Sequence, residues 1–205
     1  MQEREKALGT QIGVFIDRDG TLNEERNFIR SPEDLHLISG AAEAIRKLNR
    51  RSILTCVISN QSGVARGYLT EEDLARVHTK LVEELARQDA RVDKIYYCPH
   101  HPTDGIALYK INCNCRKPNP GMLKLGEQEL NIDLSRAYII GDKLVDIQAG
   151  KAVGATTILV LTGYGQSSLV MCKKENISPD YTAPSIKEGV EYIIQRIDGY
   201  GAKDF

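Results

Sequence analysis

Short apolar runs alternate along this chain with stretches whose apolar residues recur at helical spacing, and that alternation restricts the fold more than any other feature. Ile12–Ile16, Ile53–Ile58, Val92–Tyr97, Ala137–Ile140 and Thr156–Leu161 each read as a buried strand. Between them, Gly40–Arg50 sets Ala41, Ala44, Ile45 and Leu48 on one helical face. Thr70 and Asp73 have the spacing of a capping box, and Leu74, Val77, Leu81 and Leu85 continue from them as an apolar stripe. Gly121–Leu130, Lys143–Val153 with Gly154 as its stop, and Ser185–Arg196 supply the remaining helices. Strands alternating with helices imply a parallel sheet with right-handed crossovers, hence an α/β fold. No repeat or linker interrupts the pattern, so one domain over residues 1–205 is expected.

Composition removes several classes of function. Lys+Arg 27 against Asp+Glu 28 leaves no basic excess for nucleic acid. No apolar run is long enough to cross a bilayer. The start, Met1-Gln2-Glu3-Arg4-Glu5-Lys6, is charged, and residues 1–10 are expected to be a frayed leader without a signal segment. A cytoplasmic monomer acting on a small molecule is the expectation. In that reducing setting the Cys 5 of the composition argue for metal ligands or free thiols rather than disulfides.

The strands end in polar residues. Val14-Phe15-Ile16 runs into Asp17-Arg18-Asp19-Gly20-Thr21, Ile58 into Ser59-Asn60-Gln61-Ser62-Gly63, and Ile140 into Gly141-Asp142, with Asp146 further on. Taken alone, Ser59-Asn60 reads first as a cap or turn and Arg116-Lys117 as a solvated pair, Gly141-Asp142 is evenly balanced between turn and site, and the Asp17–Thr21 stretch leans towards a site. Parallel strands would gather all the strand ends on one sheet edge, where α/β proteins bind ligands. Carboxylates converging there suit a hard cation such as Mg²⁺ that meets phosphate, and Arg116 and Lys117 would offset phosphate charge. A carboxylate nucleophile, a metal, an acid/base and a cationic clamp make up a phosphoryl-transfer site.

A second cluster is Cys98-Pro99-His100-His101-Pro102 with Cys113-Asn114-Cys115. Three thiols and one imidazole complete a tetrahedral zinc site with no open position, and so a structural one. His100 and His101 both remain possible ligands on spacing alone. Cys56 and Cys172 read as packing residues.

Asp17-Arg18-Asp19-Gly20-Thr21, Ser59, Lys117 and Gly141-Asp142-Lys143-Leu144-Val145-Asp146 resemble, in order, the four motifs of the haloacid-dehalogenase (HAD) phosphatases. The resemblance covers roughly residues 12 to 165 and implies a Rossmann-like sheet. It implies that Asp17 attacks phosphorus and that Asp19 passes a proton to the leaving alkoxide and later takes one from water. Asp17, the Asp19 carbonyl and Asp142 would hold Mg²⁺, and Ser59 and Lys117 would hold the phosphoryl group. For this division, Asp17 must be ionised and Asp19 protonated. The family's Cys-x-His spacing selects His100, giving Cys98, His100, Cys113 and Cys115 as the zinc ligands. Their loop, about residues 98–120, would aim Arg116 and Lys117.

The stretches from Asp17 to Ser59 and from Ser59 to Lys117 are too short for a cap domain. Asn60-Gln61-Ser62-Gly63-Val64-Ala65-Arg66-Gly67 and Cys115-Arg116-Lys117-Pro118-Asn119-Pro120-Gly121-Met122 resemble the family branch that removes the C7 phosphate of D-glycero-D-manno-heptose 1,7-bisphosphate. Histidinol-phosphate hydrolysis is the alternative within the family, and a non-catalytic zinc-stabilised scaffold the alternative outside it. By this resemblance Arg116 recognises substrate, while Glu25, Asn27, Asn60, Gln61 and Ser62 touch the sugar. Arg66, Arg116 and Lys143 offer charge for a second phosphate. The tail from Gln166 to Phe205, including Met171-Cys172-Lys173-Lys174, is expected to be a surface loop followed by a closing helix.

Overall fold

Alternate residues of the central strands divide the core in two. In β1 (Gly13–Ile16) of the computed structural model, Val14 and Ile16 pack to one side and Phe15 to the other. The same alternation runs through β2 (Leu54–Asn60), β4 (Tyr138–Gly141) and β5 (Thr156–Val160). On the first side lie α1 (Ala41–Asn49), α2 (Glu71–Ala86) and α6 (Ile186–Gly201). The second side is covered by α3 (Gly121–Leu130), α4 (Leu144–Lys151) and α5 (Gly165–Lys174). Phe15 and Ile16 are wholly buried, and each such side chain contributes roughly 1.5–3 kcal/mol. Gly126 of α3 lets that helix close on the sheet, since a Cβ there would lie 2.5 Å from the Phe15 ring.

The structure describes residues 10–201, so all but Thr10 of the expected leader lies outside the described residues. With β3 (Lys94–Cys98) and β6 (Tyr181–Ala183), the sheet runs β3-β2-β1-β4-β5-β6, every pair parallel. The chain builds outward from β1 on one side, then returns to build from β4 on the other. The topological switch therefore falls between the carboxyl ends of β1 and β4, where open α/β sheets leave a crevice. Register places Ile16 beside Val57 on one neighbour and Ile140 on the other, so the residues that follow meet at one level. No helix among the described residues is long and apolar enough to cross a membrane.

The expected elements are present with boundaries shifted by a few residues. The capping box forms, with Thr70 Oγ1 accepting the Asp73 N–H at 3.1 Å and Asp73 accepting the Thr70 N–H at 2.7 Å. The expectation for the tail needs correction. Instead of a loop and one helix, it contains α5, then edge strand β6, then α6. α5 opens Gly-Gln-Ser-Ser and buries little beyond Ser168 and Cys172, so it carries no apolar stripe. β6 is a three-residue edge strand, too short for alternation to register.

Candidate active site

Beyond the switch point lies a cavity of about 600 Å³. Its wall includes Asp17, Asp19, Glu25, Asn27, Ser59, Asn60, Gln61, Ser62, Arg116, Lys117 and Lys143, so of the cavity residues expected from the sequence only Arg66 is absent from it. Asp142 lies beneath the floor with no exposure.

Backbone geometry aims the two acids of the first strand. The Asp17 N–H donates to the Ile140 carbonyl at 2.9 Å, locking the end of β1 to β4. Arg18 O then accepts from Leu22 and Asn23 at 2.9 and 3.1 Å, closing the turn. Gly20 adopts φ +85, and a Cβ there would lie 2.2 Å from Asp142 Oδ2. Asp142 Oδ2 accepts the Tyr164 N–H at 2.8 Å, whereas Oδ1 is buried with no hydrogen-bond donor.

Lys117 is a buried cation in the cavity wall. Its Nζ lies 2.8 Å from Asp17 Oδ1, 2.6 Å from Asp146 Oδ1 and 2.7 Å from the Ile58 carbonyl. Burial pulls its pKa down, but Asp146 and Asp17 outweigh that and leave it raised. Asn60 sets the Lys117 backbone, accepting its N–H at 3.0 Å and donating to its carbonyl at 2.9 Å across the cis Lys117–Pro118 turn.

Asp17, Asp142 and Asp146 each present an oxygen within 4.8 Å of the others. Burial, then the charge of Asp17, pushes the Asp142 carboxyl up to about 8 against the opposing pull of Lys143. Burial and like charge both disfavour an ionised Asp142, and a cation among these oxygens would relieve both. Lys143 already leans towards them. Its Nζ lies 3.8 Å from Asp17 Oδ2, 3.4 Å from the Asp19 carbonyl and 3.5 Å from Asp142 Oδ1, held by Glu25 at 2.9 Å. Burial opposes the Lys143 charge, yet Asp17, Asp142 and Glu25 drive its pKa up. The donor set fits a hard divalent cation.

Asp19 departs from expectation. Arg18 grips both its oxygens at 2.9–3.1 Å, Asn23 donates at 3.0 Å and Gln61 at 2.8 Å. Burial alone would raise its pKa, but the Arg18 charge and these donors bring it below the ordinary value. In the free protein Asp19 is held as a carboxylate, not protonated as a standing acid would be. Gln61 also donates to Ser59 Oγ at 2.7 Å, linking two of the expected residues.

The Cys/His loop closes as its spacing suggests. Cys98, His100, Cys113 and Cys115 form one cluster, with sulfur–sulfur distances of 3.1–3.4 Å and His100 Nδ1 3.4 and 3.7 Å from two of the sulfurs. All three thiols are free of disulfides. These distances are slightly inside the ~3.7 Å edge of a tetrahedron with Zn–S near 2.3 Å. His101 is engaged elsewhere, Nδ1 accepting the Asp104 N–H at 3.0 Å. Arg116 donates to the His100 carbonyl at 3.0 Å and pairs with no carboxylate among the described residues, so the loop holds one cation free beside the cavity. Arg66, expected as spare charge for the cavity, is instead paired with Asp104 outside it.

Sequence reasoning missed the wall formed by Tyr164, Ser167, Ser168 and Met171 at the start of α5. Tyr164 Oη donates to Asn27 at 3.0 Å, and its ring lies 5.1 Å from Lys143 Nζ. Gly163 before it, with φ +53 and a Cβ position 2.2 Å from Asp142 Oδ2, was the available signal of a close approach.

Residues 114–189 match the HAD-hydrolase-like family model. The D-glycero-β-D-manno-heptose-1,7-bisphosphate 7-phosphatase of Yersinia pestis is 40% identical over 151 residues, covering 73% of this chain and 80% of the relative. The chain belongs to the HAD phosphatase family. The same-named enzyme of Photorhabdus laumondii is 42% identical over an equal span of 151 residues. Among solved structures, the D,D-heptose 1,7-bisphosphate phosphatase of B. bronchiseptica, complexed with magnesium and phosphate, superposes with TM-score 0.80 at 31% identity, over 91% of this phosphatase and 99% of that chain.

Proposed function

We propose that this phosphatase hydrolyses the C7 phosphate of D-glycero-D-manno-heptose 1,7-bisphosphate as a cytoplasmic, single-domain monomer. The observation that carries the reading is the meeting of Asp17, Asp142 and Lys117 at one sheet switch point, in a chain 40% identical to enzymes of that name. Mg²⁺ held by Asp17, the Asp19 carbonyl and Asp142 would neutralise phosphate charge. Zinc in Cys98, His100, Cys113 and Cys115 would be structural.

Asp17 attacks phosphorus, forming an aspartyl-phosphate as the phosphorus–oxygen bond to the sugar breaks. Asp19 gives the departing oxygen its proton, then takes one from the water that displaces Asp17 and frees phosphate. An arriving phosphate dianion adds like charge beside Asp19 and raises its pKa, so that the carboxylate takes up a proton from solvent as substrate binds and then becomes the acid. Lys117 and Ser59 hold the transferring oxygens, and Lys117, fixed by Asp146 at 2.6 Å, stands 2.8 Å from the Asp17 carboxylate. Arg116, which pairs with no carboxylate among the described residues, receives the second phosphate. Glu25, Asn27, Asn60, Gln61 and Ser62 line the sugar's side of the cavity.

Phosphate release is to be measured from heptose 1,7-bisphosphate, histidinol phosphate and fructose 1,6-bisphosphate with Mg²⁺ present. The heptose substrate is expected to lead, and Asp17→Asn to abolish its turnover with the fold intact. Preference for histidinol phosphate would transfer the assignment within the family, and no turnover at all would favour a binding scaffold.

A further inference from the structure

Among the described residues Arg18 is the bulkiest of the wholly buried side chains, yet it is not part of the cavity wall and no step above uses it. Its Nε and Nη2 donate to Asp19 Oδ1 at 3.1 and 3.0 Å, and Nη2 also reaches Oδ2 at 2.9 Å. Nη1 is buried with no partner. Among the described residues, Asp19 is the only carboxylate that Arg18 pairs with.

That arrangement is poor as a stabilising device. Burying a guanidinium costs free energy, and leaving one of its nitrogens unpaired costs more; an apolar side chain of similar length would fill the space at lower cost. What the arginine alone adds is a planar fork on a carboxylate. A fork bonded to both oxygens fixes the rotamer and the plane of the acid together, which a single donor cannot do. The Asp19 side chain keeps 17% exposure, on the cavity side, while the guanidinium behind it has none. Asn23 and Gln61 add single donors to the same group.

We propose that Arg18 is a positioning residue for proton transfer, holding Asp19 so that a carboxyl oxygen faces the leaving oxygen of the substrate in both half-reactions. The inference rests on the reading of Asp19 as the proton carrier. The proton moves from Asp19 to the sugar oxygen as its bond to phosphorus breaks. It is replaced by one from water as the water oxygen bonds to phosphorus and Asp17 departs.

Leaving groups separate this role from a merely structural one. A sugar alkoxide needs a proton to leave, whereas the acetate of acetyl phosphate does not, and kcat/KM reports the step in which either departs. The full chain with saturating Mg²⁺ is compared with Arg18→Met and Arg18→Lys on the sugar bisphosphate and on acetyl phosphate. Arg18→Met is expected to lower kcat/KM about 100-fold for the sugar substrate and at most about 3-fold for acetyl phosphate, the difference being the low end of general acid catalysis. Arg18→Lys, which can hold one oxygen, recovers part of the loss and carries the same comparison if Arg18→Met does not fold. An equal fall on both substrates, or no fall on either, overturns the proposal. Asp19→Asn is assayed alongside. If it shows no leaving-group dependence, the reading of Asp19 fails; if it does and the Arg18 variants do not, only the positioning role fails.

Discussion

Lys117→Met is the most informative single change to this site. The Lys117 side chain is 2% exposed, and those of its carboxylate partners Asp17 and Asp146 are 6% and 1% exposed. Methionine keeps the length of the side chain but removes the charge, leaving Asp17 and Asp146 buried beside Asp142 with no fixed cation between them. Removing one partner of a buried ion pair costs about 3–5 kcal/mol, because the charge left behind must be desolvated or protonated. For a chain of this size each kcal/mol is worth about 2–4 °C, so melting should fall by roughly 6–20 °C in metal-free buffer. Adding Asp146→Asn to Lys117→Met removes the stranded charge as well, so the double variant should recover part of the loss, by a coupling of about 0.5–3 kcal/mol. Urea denaturation and calorimetry in EDTA measure both quantities. A loss under about 1 kcal/mol, within the range of an exposed pair, or a double variant no more stable than the single one, would refute the reasoning.

Three further outcomes follow from the geometry. Gly20→Ala must place a methyl against Asp142 Oδ2 from a left-handed backbone, and turnover should fall about 100-fold through misplacement of that carboxylate; a wild-type rate would show that the turn can give way. His78 has its pKa driven down to about 3, by burial first and then by Arg18, so the unfolded chain protonates before the folded one. Stability is therefore lost as pH falls from about 6.5 towards 3, at up to about 1.4 kcal/mol per pH unit, and His78→Leu should flatten that part of the stability curve; an unchanged slope in the variant would exclude His78 as its source. Elemental analysis should find a thiophilic metal in the Cys/His loop, and Cys113→Ser should lower the melting temperature and raise KM through the link from Arg116 to the His100 carbonyl, whereas a metal-free variant with unchanged melting and KM would make the loop irrelevant to the cavity.

The chain's own pattern determined a great deal. Apolar runs such as Val14-Phe15-Ile16 read as strands because a strand buried on both faces is apolar at every position, and the capping box at Thr70 is a local hydrogen-bond pattern written in adjacent residues. The acids at strand ends were legible for the same reason, since parallel strands bring their carboxyl ends to one edge whatever the helices do. Cys98, Cys113 and Cys115 with a histidine at 100 or 101 were legible because metal ligands pair at short spacing within one loop, and the family resemblance supplied the choice of His100.

What lay outside the sequence depended on contacts between distant segments. α5 presents no apolar stripe, and Gly163 before it marks a close approach without saying to what; docking against α4 and β5 puts Tyr164 and Met171 in the cavity wall. Arg66 looked like a spare cation until folding set it beside Asp104, while Arg116 pairs with no carboxylate among the described residues. The protonation state of Asp19 was least accessible of all. Sequence placed an acid two residues after the nucleophile, and chemistry asked it to carry a proton. Only the tertiary structure surrounded it with Arg18, Asn23 and Gln61 and so held it as a carboxylate, because pKa is set by the charges and donors that folding brings within a few ångströms, not by neighbours along the chain.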